Sequence, residues 1–219
     1  MNIASYIDHT ILKPETTLAD IQKLCAEAVS QSFAAVCVPP YFVKVAKELT
    51  SGSNVKVATV IGFPFGYSST DAKLKEIEQA IADGADELDI VHNITALKDG
   101  NYPYLQNEIK ACTDLCHQSG KSVKIIVESG ILSDSELLKC CELYYPLGID
   151  FMKTSTGYAQ TGATVRAVEL MRQHLPETIA IKASGGIRTF AFAKELVDAG
   201  ATRLGCSASI HIVEESKAF

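Results

Sequence analysis

A parallel (β/α)8 barrel is the fold class that this 219-residue sequence predicts. Three observations lead there. Short, near-continuous apolar runs rich in β-branched residues recur along the chain, as parallel strands covered on both faces require. Helix-length amphipathic stretches separate them, and glycine stands where a helix must turn back into the next strand. Eight such units leave about 27 residues each, which suits a compact closed barrel. A doubly wound open sheet is the alternative, but no GxGxxG follows the first strand run, as a dinucleotide site would require.

The elements follow in order. A short segment at residues 6–10 supplies the eighth strand. Leu18, Ile21, Leu24, Cys25 and Ala28 then fall on one helical face. Strand runs follow at residues 34–38 and 55–61, then a helix marked by Leu74, Ile77 and Ile81. Asp83-Gly84-Ala85 ends that helix ahead of the strand run at 87–91, just as Ala199-Gly200-Ala201 precedes the run at 203–206. Between them lie the runs at 123–127, 149–153 and 179–182. Ser133-Asp134-Ser135-Glu136 has the spacing of a capping box, so a helix starts there. No linker or charge block divides the chain, and residues 1–219 are read as one domain.

Composition narrows the function classes. The chain is 47% hydrophobic and 21% charged, as globular proteins are. Lys+Arg number 20 against Asp+Glu 26, a net charge of −6, so the basic excess of a nucleic-acid or anionic-membrane binder is missing. The first ten residues hold no signal-peptide pattern. The longest apolar stretch, 33–43, is broken by Pro39-Pro40 and is too short to span a bilayer. Seven cysteines without a CxxC pair point to reduced thiols and a cytoplasmic protein. The histidines at 9, 92, 117, 174 and 211 form no metal-binding spacing, so no metal is expected.

Two lysines carry the chemical argument. Lys153 closes one apolar run and Lys182 the next, one strand–helix unit apart. If both point inward, desolvation and mutual repulsion favour the neutral amine, the form a Schiff-base nucleophile needs. The alternative is that each lysine snorkels to the rim or holds a phosphate. Asp89 lies mid-strand, where a carboxylate needs a partner, and Lys124 offers a third internal cation. Ser184-Gly185-Gly186-Ile187-Arg188 and Gly205-Cys206-Ser207 follow the last two strands, where barrel enzymes frequently bind phosphate. Cys37 ends a strand and is read as a buried thiol or a pocket-lining one.

Lys153-Thr154-Ser155-Thr156-Gly157 and the segment from Lys182 to Thr189 resemble the signature segments of the deoxyribose-phosphate aldolase family. Asp8-His9-Thr10-Ile11-Leu12-Lys13-Pro14, Ala35-Val36-Cys37-Val38, Gly62-Phe63-Pro64 and Gly84-Ala85-Asp86-Glu87-Leu88-Asp89 resemble further family segments in the same order. The resemblance implies a class I, metal-independent aldolase on a (β/α)8 barrel that needs no cofactor. It would cleave 2-deoxy-D-ribose 5-phosphate to acetaldehyde and D-glyceraldehyde 3-phosphate. It assigns Lys153 as the Schiff-base former, with Lys182 and Asp89 transferring protons. It places Lys124, Cys37, Thr10, Asp8 and Thr156 beside the substrate, and Gly157, Gly185, Gly186, Gly205 and Ser207 around its phosphate. A homodimer is the expected assembly, although no interface patch is legible.

Three positions depart from the family pattern. Tyr158 replaces a lysine that some relatives aim at phosphate. His92 stands where an aliphatic residue is common. The chain ends on Ala218-Phe219, without the terminal tyrosine that assists proton transfer in some relatives. The rival readings are a sugar-phosphate isomerase using Asp89 as base and a catalytically silent sugar-phosphate binder.

Overall fold

The structure is a computed structural model that describes residues 2–218; Phe219, and with it the reading of the C-terminal residue, lies outside them. Eight parallel strands close into a barrel in sequence order, with β8 returning to pair with β1. They are β1 (Ile7–Thr10), β2 (Ala35–Val38), β3 (Lys56–Ile61), β4 (Glu87–Val91), β5 (Ser122–Ile126), β6 (Phe151–Lys153), β7 (Ala180–Ser184) and β8 (Arg203–Cys206). The helices around them are α1 (Leu18–Gln31), α2 (Val43–Leu49), α3 (Thr70–Ala82), α4 (Ile94–Lys98), α5 (Tyr102–Gln118), α6 (Asp134–Tyr144), α7 (Val165–His174), α8 (Phe190–Asp198) and α9 (Ser209–Ser216). The segment at residues 6–10 is therefore a strand, and without it the barrel would not close. No described helix is long and apolar enough to cross a membrane.

Local signals act as the sequence predicts. Thr17 and Ser133 each close a capping box, over α1 and α6, satisfying amides that have no partner within the helix. Gly84 and Gly200 take φ of 102° and 114° where α3 and α8 turn into the next strand. Leu18 is an exception: it shares the apolar spacing of α1 but lies 49% exposed in its first turn. Lys182 is another. It lies within β7, which runs on to Ser184.

Alternation along each strand divides the residues into two sets. The outward set, including Val36, Val57, Leu88, Ile90, Ile125, Met152 and Ile181, joins the helices in one large apolar core. The inward set is split. On β2 and β3, Ala35, Cys37, Ala58 and Val60 form a small apolar cluster. The other strands turn charge inward: Asp8, Glu87, Asp89, Lys124, Lys153 and Lys182 are all buried.

A second buried polar set supports β4 from behind. Lys73 of α3 donates to the carbonyl of Val91 at 2.8 Å and pairs with Glu108 of α5 at 2.8 Å, both side chains fully buried. His92, the first residue past β4, places Nδ1 2.8 Å from the Tyr144 hydroxyl. Burial, aided by the Lys73 charge, pushes the His92 imidazole down to about 3. The unfolded chain takes up that proton near pH 6.5, so stability must fall as the pH drops from there toward 3. His92→Phe should flatten that part of the profile, as read by urea midpoints from neutral pH to about 4. Equal slopes in the two proteins would contradict it.

Candidate active site

Four strands converge on one carboxylate. Asp89, on β4, is fully buried and accepts from Lys124 of β5 on Oδ1 at 2.7 Å. Its Oδ2 accepts from Lys153 of β6 and Lys182 of β7, each at 2.7 Å. Register produces this: Asp89 is level with Lys124, and Lys153 with Lys182, across adjacent parallel strands. Lys182 donates also to Asp8 of β1, and Lys124 lies 2.6 Å from Glu87. Neither Lys153 nor Lys182 snorkels to the rim; both are buried.

The sequence predicts that the two lysines depress each other, and only one is depressed. Burial, reinforced by the Lys182 charge, holds Lys153 below the ordinary lysine value against the pull of Asp89. Burial acts on Lys182 in the same sense, but Asp8 and Asp89 outweigh it and raise that amine. Lys124 is raised likewise, with Asp89 and Glu87 overcoming burial. Burial works against the Asp89 carboxylate, yet Lys124, Lys153 and Lys182 keep it well below the usual carboxylate range. Asp8 is lowered to about 2, with Lys182 and Arg203 overcoming the effect of burial. The Cys37 thiol is pushed up by burial and is fully enclosed.

A cavity of about 550 Å³ opens above this cluster at the C-terminal ends of the strands. Lys153, Thr10, Thr156, Gly157, Gly185, Gly186, Gly205 and Ser207 line it, whereas Asp8, Cys37, Asp89, Lys124 and Lys182 lie beneath, inside the barrel. Glycine contacts shape its wall. A Cβ at Gly185 would stand 3.1 Å from Gly162 Cα and 3.4 Å from Gly157 Cα, so the loops after β6 and β7 touch backbone to backbone. Gly186 has φ +79°, and a Cβ there would meet no atom within 4 Å. Lys13 and Arg188 bring two cations to the lining.

Glu128 and Arg203 were not singled out by the sequence, and Tyr158 was, but only as a departure from the lysine that some relatives aim at phosphate. Tyr158 donates to the Leu12 carbonyl at 2.8 Å and sets its ring edge-on to Phe63 at 5.4 Å, so a phenol clasps the β1 and β3 loops together. Glu128, at φ 56°, is buried and accepts from both the amide and the hydroxyl of Thr156. Burial raises its carboxyl. Arg203, at the start of β8, bridges Asp8 at 2.7 Å and Glu87 at 3.0 Å. No local pattern announces any of these contacts, because each acts on a residue distant in sequence.

A family model described as DeoC/LacD family aldolase matches residues 2–208. The chain belongs to that family. It is therefore an aldolase, a lyase, on a closed eight-stranded barrel. Over 219 residues it is 50% identical to the deoxyribose-phosphate aldolase of Thermococcus gammatolerans, with 99% of this chain and 97% of the relative covered. The enzyme of the same name from Clostridium tetani is 47% identical, with 99% of this chain and all 100% of that one covered. Among solved structures, the deoxyribose phosphate aldolase of Aeropyrum pernix superposes with a TM-score of 0.92 at 31% identity, over 99% of this chain and 91% of that one. That protein is described as tetrameric.

In this DeoC/LacD aldolase, Asp89 is the sole carboxylate shared by Lys124, Lys153 and Lys182 among the described ion pairs. Asp89→Asn leaves buried ammonium groups short of an anion, which typically costs about 3–5 kcal/mol. Chemical denaturation should show a loss of that size. A loss below about 1 kcal/mol would mean that the lysines do not depend on Asp89.

Proposed function

We propose that this aldolase reversibly cleaves 2-deoxy-D-ribose 5-phosphate to acetaldehyde and D-glyceraldehyde 3-phosphate through a Schiff base on Lys153. One observation carries the reading: the depressed Lys153 amine lies 2.7 Å from Asp89 and lines the cavity that Gly157, Gly185 and Gly186 also line. The names of the relatives support the substrate. By the same reading the protein is a cytoplasmic homodimer serving the breakdown of deoxyribose phosphate.

The chemistry follows from which groups hold protons. Neutral Lys153 adds to the C1 carbonyl of the open-chain sugar, and the carbinolamine loses water to an iminium. Protonated Lys182 supplies the proton for that departure through Asp89 and a water. The iminium then draws the electrons of the C2–C3 bond as the C3 hydroxyl gives up its proton to the same relay. That bond breaks, releasing D-glyceraldehyde 3-phosphate and leaving an enamine. Protonation of the enamine carbon and addition of water free acetaldehyde and return the amine. Gly157, Gly185, Gly186, Gly205 and Ser207 cradle the phosphate, with Thr156 and Thr10 on the adjoining lining.

Borohydride trapping with the substrate, followed by peptide mapping, tests the covalent step directly. Lys153→Arg should lose at least about a thousandfold in turnover and form no adduct, because a guanidinium stays protonated. An adduct on another lysine would sink the assignment.

Gly186→Val places an isopropyl group in the space free of protein atoms and strains the left-handed turn. KM for deoxyribose 5-phosphate should rise about tenfold or more, with far less change for unphosphorylated deoxyribose. Equal losses in protein shown to be folded would mean that phosphate binds elsewhere.

A further inference from the structure

The ion pairs inside the barrel form a closed circuit. Asp89 meets Lys124 at 2.7 Å, Lys124 meets Glu87 at 2.6 Å, and Glu87 meets Arg203 at 3.0 Å. Arg203 meets Asp8 at 2.7 Å, Asp8 meets Lys182, and Lys182 returns to Asp89 at 2.7 Å. Carboxylate and cation alternate all the way round. The three acids balance the three cations, and the ring is neutral without Lys153, which hangs from Asp89 as a seventh member. Phe151 packs against the circuit, with the Arg203 guanidinium 5.4 Å and the Lys124 ammonium 5.7 Å from its ring centre.

We propose that Glu87 and Arg203, in the half of the ring remote from the cavity, are positioning residues that set the protonation of Lys153. The inference rests on the Schiff-base reading of that lysine. Lys124 and Lys182 each touch two carboxylates, while Lys153 touches one that two other cations already share. A proton on Lys153 would leave the buried cluster with net positive charge, so the ring favours the neutral amine. The other groups facing Lys153 fit that balance. Cys37 of β2 is an enclosed thiol, and Glu128 beyond β5 spends its oxygens on Thr156. At the solvent edge, Lys56 lies 3.6 Å from Glu87 with its side chain 53% exposed, where water screens it.

Opposite shifts test the coupling. Acetaldehyde is mixed with each protein across a pH series, quenched with borohydride, and the Lys153 adduct is quantified by peptide mass. Arg203→Gln leaves the ring net negative and should move the acid limb of adduct formation up by about one pH unit. Glu87→Gln leaves it net positive and should move the limb down by about as much. The double variant restores neutrality and should return to the wild-type limb, as should Arg203→Lys, which keeps the charge. Circular dichroism establishes which variants fold; if one single variant does not, the other compared with the double variant decides. Unmoved limbs, shifts in the same direction, or an Arg203→Lys shift as large as that of Arg203→Gln would overturn the inference. Absence of any adduct on wild-type Lys153 would instead overturn the Schiff-base reading.

Discussion

A carboxylate with two oxygens serves three lysine amines at the centre of the barrel, and the rest of the interior is arranged around that shortage. Burying an ammonium without an anion is prohibitive, so each lysine must find one. Lys124 finds Glu87 and Lys182 finds Asp8, while Lys153 has Asp89 alone. The amine with the fewest anions gives up its proton most readily. Burial lowers all three, but only Lys153 stays lowered after the neighbouring charges have acted.

Strand-borne chemistry and loop-borne recognition are separated in this architecture. Asp8, Asp89, Lys124, Lys153 and Lys182 sit on backbone pinned by the parallel ladders, and their mutual distances follow from register. The cavity above them is made by turns, where glycine allows Gly157, Gly162 and Gly185 to touch through backbone. Thr154 Oγ1 accepts from the Ser184 amide at 3.1 Å, tying the end of β6 to that of β7. Rigid strands hold the amine, and adaptable loops shape the opening to it.

Polar support also stands behind β4. Lys73, Glu108, His92 and Tyr144 pack between its C-terminal end and the helices outside, where a purely apolar wall would be the simpler solution. The Val91 carbonyl is held by Lys73, and the Asn93 amide by Glu108 at 3.1 Å, so the backbone leaving β4 is anchored on both sides of His92. An aliphatic residue at position 92 could fill the space but could not bond Tyr144. Asp89 thus sits on a strand restrained from inside and outside.

Much of the molecule was legible in the chain. Near-continuous apolar, β-branched runs located the strands, spacing placed Lys153 and Lys182 on neighbouring ones, and glycines after the last two marked the cavity. These are local properties, because side-chain direction along a strand and the turn preference of glycine act over a few residues. What only the tertiary structure decided is non-local. Which lysine is depressed depends on how many anions reach each amine from other strands, and that number is set by closure of the barrel and its register. Arg203 and Asp8, 195 positions apart, meet only because β8 pairs with β1. Protonation is a property of the assembled charge cluster, and no segment of the chain holds enough of that cluster to reveal it.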